Sequence, residues 1–159
     1  MGEYIQTLRQ FVGSRPLLQC GATVIVMNGD GLVLMLKRLD NGYWGFPGGA
    51  TELGEQLEDT ARRELLEETG IHAARLQLLN VFSGKELYYK YPNGDEVYNV
   101  DAVFFTRYLD GDVTLSSEHT DFSYVPLAQV HSEIMPPQRI IARYLQETGL
   151  PENSELDGL

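Results

Sequence analysis

A chain of 159 residues, 43% hydrophobic and 22% charged, has the size of one ordinary domain and enough apolar mass to bury a core. Its net charge of −11 makes it a poor candidate for holding a long nucleic-acid backbone. No apolar run reaches the roughly 20 residues of a membrane span, residues 1–4 lack the flank and apolar stretch of a secretory leader, and the lone Cys20 permits no intramolecular disulfide. A single domain over 1–159, cytoplasmic and without a membrane partner, is expected; homodimerisation stays open.

In chain order, residues 4–12 suit a short helix. Cys20–Met27 and Leu32–Arg38 are apolar runs around Asn28-Gly29-Asp30-Gly31, the pattern of a β-hairpin. A loop with Asn41-Gly42 leads to a short strand, Trp44–Phe46, ending at Pro47-Gly48-Gly49. A helix is predicted over 57–69, with Glu58 and Asp59 at its positive end, Gln56 as a mediocre N-cap and Gly70 as its stop. Residues 76–91 and 97–108 read as two long strands around Pro92-Asn93-Gly94-Asp95. Phe122–Val125 reads as a strand, 126–130 as one helical turn, and Arg139–Thr148 as a C-terminal helix. This order predicts an α/β domain with a mixed sheet, its core at about 18–148. The acids after Arg143 (Glu147, Glu152, Glu155, Asp157) form an acidic tail to which no function is assigned.

The informative stretch is Gly49–Ile71, with seven acids against two arginines. At about 100° per residue, Leu57, Ala61 and Leu65 form an apolar stripe, and Glu64 and Glu68 fall in the same sector with Glu67 further round. Like charges four residues apart repel, and half-buried ones cost more. A divalent cation removes the conflict, because clustered carboxylates supply the hard oxygens that magnesium prefers. Arg63, one turn before Glu67, is expected to pair with it. The glycines at 48, 49 and 54 suggest backbone folded tightly against the helix start.

These residues resemble a known family signature, the Nudix box G-x5-E-x7-R-E-U-x-E-E-x-G-U, with U aliphatic. Gly49, Glu55, Arg63, Glu64, Leu65, Glu67, Glu68, Gly70 and Ile71 fill every fixed position. The resemblance implies the Nudix fold, an α/β/α sandwich around a mixed β-sheet. It further implies Mg²⁺ or Mn²⁺ held by Glu64, Glu67 and Glu68 with the Gly48 carbonyl. Glu55 becomes a structural or weakly metal-linked acid and Arg63 the residue that orients a catalytic glutamate. The reaction implied is hydrolysis of a diphosphate linkage in a nucleoside-diphosphate derivative. The general base stays open between a box glutamate and a later acid, for which Glu118 is the candidate; the catalytic set is then Glu67, Glu68, Arg63 and Glu118. His119 is expected to be a surface histidine.

Substrate contacts are assigned to Arg38, as a phosphate-binding cation, and to Tyr88 and Lys90 on the long strand. Tyr88 lies 17 residues past Ile71, similar to a tyrosine of some dinucleoside polyphosphate hydrolases. The segment that marks NADH pyrophosphatases is absent. A nucleoside triphosphate or modified nucleotide therefore ranks first, ahead of dinucleoside polyphosphates and then nucleotide sugars of the ADP-ribose type. A hydrolase of RNA 5′ ends fits the acidity poorly. The rival from another class is a non-catalytic nucleotide sensor, which the complete box argues against; a second is an acidic helix that binds a basic partner.

Overall fold

The computed structural model describes residues 2–109, 112–130 and 132–152; Glu155 and Asp157 of the acidic tail lie outside them. Helix α1 (Glu3–Val12) leads into β1 (Leu17–Met27), the central strand, which begins three residues earlier than expected. The predicted hairpin exists at its neck. Asn28 Oδ1 accepts the amides of Asp30 at 3.0 Å and Leu32 at 2.9 Å, which turns the chain into β2 (Val33–Arg38). The two strands pair at Met27 and Val33. Further along, β1 is partnered by β4 (Gly48–Ala50), and β2 by β3 (Trp44–Gly45) and β8 (His119–Val125). A strand at Gly48–Ala50, where sequence suggested only a tight loop, is the first correction.

The second concerns residues 76–91, which do not form one strand. β5 (Gln77–Phe82) stops before Gly84, whose φ of 104° is open to glycine but not to L side chains. A 3₁₀ turn, Lys85–Leu87, then drives Leu87 into the core before β6 (Tyr88–Lys90) begins. Both strands lie antiparallel to β7 (Glu96–Arg107), and β7 runs parallel to β1 along its whole length, from Leu17 beside Val97 to Met27 beside Arg107. The sheet is mixed, with main order β3-β2-β1-β7-β5.

Alternation along β1 and β7 sends successive side chains to opposite faces. Ala22, Val24, Ala102 and Phe104 meet Ala61 and Leu65 of helix α2 (Leu57–Thr69). Ile25, Val103 and Phe105 meet Ile141 and Leu145 of helix α3 (Arg139–Thr148). One helix on each face gives the α/β/α layering. Each fully buried leucine, such as Leu65, adds about 1.5–3 kcal/mol of burial. Gly70, at φ 72°, closes α2 through its N–H to the Leu66 carbonyl. Leu57 is 37% exposed, so the stripe that docks α2 runs through Ala61 and Leu65 without it. Among the described residues no helix is long and apolar enough to cross a membrane.

Candidate active site

Helix α2 lies with one edge over β4, and that edge carries the glutamates. Glu68 points inward at 7% exposure, and its Oε2 accepts the Gly48 N–H at 3.0 Å. Burial pushes its carboxyl up to about 8; the Gly48 amide opposes this, and the charges of Glu64 and Glu118 add to it. Glu64 lies one turn earlier, half-buried against Gly49. A β-carbon at Gly49 would fall 2.4 Å from the Glu64 carboxylate, so the glycine at this position makes room for the acid. Burial raises the Glu64 pKa, and Arg63 works against that rise. Glu67, with 58% of its side chain exposed, points into the open cleft.

Arg63 ties this edge together. Its guanidinium grips Glu55 at two points, Nε–Oε1 2.6 Å and Nη2–Oε2 3.1 Å. It also reaches Glu64 at 2.8 Å, Glu67 at 3.3 Å and the Ala50 carbonyl at 3.0 Å. The expected pairing with Glu67 is present but is the longest of these contacts; Glu55 is the principal partner. Glu55 in turn accepts the Glu52 amide at 3.0 Å and the Thr60 hydroxyl at 2.8 Å, and so organises the start of α2, where Gln56 makes no side-chain cap. Arg63 holds the Glu55 carboxyl at about 2. Glu52 extends the network by accepting the amides of Glu3 at 2.6 Å and Tyr4 at 3.1 Å, which anchors α1 at the rim of the cleft.

Arg38, from the end of β2, and Glu118, from the loop before β8, line the same cleft. Arg38 does stand at the cleft, but its guanidinium is forked on Asp40, Nε–Oδ1 2.9 Å and Nη2–Oδ2 2.8 Å, so it is a neutralised pair rather than a free cation. Glu118 is exposed on the loop before β8 and faces the glutamate edge. His119 corrects the expectation of a surface histidine. Its side chain is 6% exposed, and Nε2 stands 3.9 Å from Glu68 Oε1. Burial, reinforced by Arg38, lowers its pKa and favours the neutral ring. Strand β8 begins at His119, and pairing with Arg38 turns the side chain inward.

Tyr88 and Lys90 are not brought to the site. Tyr88 donates to Glu96 Oε2 at 2.8 Å and packs on Tyr98, while Lys90 is exposed. The strand carries them on one face and Tyr89 and Tyr91 on the other, and it is the second pair that lines the cleft. Sequence reasoning also missed Gln19, Asn99 and Asp101, polar residues at inward positions of β1 and β7. Their signal was a period-two interruption of two apolar runs.

No group of three or more His, Cys, Asp or Glu side chains among the described residues is drawn together as a preformed metal cage. The donor chemistry nevertheless suits a hard divalent cation. Glu68 is a buried carboxylate compensated by one amide, Glu64 occupies space left by Gly49, and Glu67 projects beside them. Such a partial carboxylate set leaves positions for water and phosphate, the usual mode of magnesium binding.

Residues 17–145 match the model of the NUDIX domain family. The chain belongs to the Nudix hydrolase family. An RNA pyrophosphohydrolase of Sphingopyxis alaskensis is 31% identical to this Nudix hydrolase over 141 residues, 79% of this chain and 89% of that one. Higher identity is local. A MutT-like protein of Streptomyces ambofaciens is 41% identical over 69 residues, 43% of this chain and less than half, 45%, of its own length. A solved MutT Nudix hydrolase from Burkholderia pseudomallei superposes with a TM-score of 0.66 at 25% identity, covering 80% of this chain and 97% of that one. The layered sheet is thus the Nudix fold.

Proposed function

We propose that this Nudix hydrolase cleaves the diphosphate linkage of a nucleoside triphosphate or modified nucleotide in the cytoplasm with Mg²⁺ or Mn²⁺. The observation that carries the reading is that two clefts meet at Glu68. One is lined by the glutamate edge of α2; the other is polar and aromatic, with Tyr89 and Phe46 among its walls, and both are bounded by Gln19, Arg38, Gly48 and Tyr91. A charged diphosphate suits the first and a flat heterocycle the second.

Glu64, Glu67 and Glu68, with the Gly48 backbone, are the groups that would hold the cation. When bound, it neutralises the diphosphate and acidifies the attacking water. Arg63 fixes the carboxylates from behind, and β8 keeps His119 against Glu68. Glu118, in the same cleft, is the acid proposed to take the proton of the attacking water.

A second reading, the triphosphorylated 5′ end of RNA, is favoured by the RNA pyrophosphohydrolase that matches most of this chain. The net charge of −11 favours the free nucleotide. The test is a panel of nucleoside triphosphates, dinucleoside polyphosphates, ADP-ribose and triphosphorylated RNA, run with Mg²⁺, Mn²⁺ or chelator, with products identified by mass. Cation-dependent release of a nucleoside monophosphate, lost in Glu68→Gln, is expected. Binding without turnover across the panel would make the protein a sensor and overturn the proposal.

A further inference from the structure

The sheet face turned toward α3 changes character along its length. Ile25, Val103 and Phe105 are fully buried and apolar, yet four of the residues before them on the same face are polar. These are Gln19 and Thr23 on β1 and Asn99 and Asp101 on β7, held side by side by the pairs Gln19–Asn99 and Gly21–Asp101. They line the cleft whose walls include Phe46, Tyr89 and Tyr91.

Two acceptors in this cleft, Gln19 Oε1 and Asp101 Oδ1, are buried without a hydrogen-bond partner among the described residues. The surrounding polar atoms are engaged. Thr23 donates its hydroxyl to Asp101 Oδ2 at 2.7 Å, Asn99 donates to the Leu87 carbonyl at 3.1 Å, and Gln19 Nε2 faces Asn99 Oδ1 at 3.4 Å. Gln19 is 8% exposed, so the bulk solvent does not serve it. Folded proteins pair the great majority of such groups. Two orphaned acceptors on side chains that line one cleft with aromatic walls call for a ligand that brings donors.

We infer that this cleft seats the base of the nucleotide and selects one with two N–H donors on a single edge, a 2-amino-6-oxopurine, received by Asp101 Oδ1 and Gln19 Oε1. The inference rests on the nucleotide reading above. A base with one donor leaves one acceptor buried and unpaired, and sites of this kind discriminate against the analogue that lacks the hydrogen. The arrangement costs stability when empty. Burial carries the Asp101 carboxyl up to about 6, against the pull of the Thr23 hydroxyl. With the folded pKa raised above its ordinary 3.8, the stability present below 3.8 is lost as pH rises through about 6.

Calorimetric titration of the full chain at pH 8 with GMP, IMP and AMP tests this, because IMP lacks the 2-amino group and AMP the imino hydrogen. GMP is expected to bind about tenfold tighter than either. Asp101→Asn and Gln19→Met are each expected to bring the three within about twofold. Ligand-free Asp101→Asn should also melt at or above the wild-type temperature at pH 8, which separates a recognition role from a structural one; Gln19→Met serves if that variant does not fold. Equal wild-type affinities, the result if ordered water serves both acceptors, would overturn the inference. So would a preference retained in both variants, or no binding of any of the three. Hydrolysis of triphosphates without base preference sinks this inference alone; no nucleotide hydrolysis sinks the proposed function with it.

Discussion

Glu55 and Arg63 form a two-point ion pair, 2.6 and 3.1 Å, eight residues apart and on opposite sides of the first turn of α2. Its geometry requires the planar fork of an arginine, since three further acceptors are reached by the same guanidinium.

Arg63→Lys is therefore expected to lower kcat by about 10- to 100-fold, the usual consequence of losing a group that orients metal-facing ligands. KM for the nucleotide should change much less, because Arg63 acts through the glutamates. Steady-state kinetics at saturating Mg²⁺ checks this. An unchanged kcat would mean that the carboxylates hold their places unaided.

The same pair sets an acid limb on stability. Arg63 depresses the Glu55 carboxyl from its ordinary 4.5 to about 2 in the folded protein. A depressed folded pKa contributes stability that is present above 4.5 and is lost as pH falls toward 2. After solvent screening the contribution is on the order of 1 kcal/mol. Thermal melts from pH 6 to 3 should show Glu55→Gln declining less steeply than wild type. Parallel curves would disprove the coupling.

Gly49→Ala tests the space that the glycine provides. An added β-carbon falls 2.4 Å from the Glu64 carboxyl carbon and Oε1, while the backbone there lies outside the positive-φ region. The expected result is weaker Mg²⁺ activation, by about tenfold in the half-saturating concentration, with a small change in melting temperature. A Mg²⁺ dependence identical to wild type would show that Glu64 need not occupy this position.

Much of this site was legible because helical periodicity and a spaced motif both act within residues 49–71. Glu64, Glu68 and Arg63 needed no long-range information. Tyr88 and Lys90 did. One-residue parity decides which face of β6 meets the cleft, and the break at Gly84 resets that parity out of sight of any local pattern. His119 was misread because its burial comes from pairing with Arg38, 81 residues away. Gln19 and Asp101 become neighbours only when β1 pairs with β7, and nothing in either segment announces its partner.

That pairing has a kinetic consequence. The Thr23–Asp101 hydrogen bond closes a loop of 78 residues, with the whole of α2 inside it, whereas the Gly48–Glu68 contact spans 20. Short-range closures form early and long parallel pairings late. During refolding the glutamate edge should gain hydrogen-exchange protection before the β1–β7 seam does. A chain caught part-way would then hold its carboxylates before it could tell one base from another.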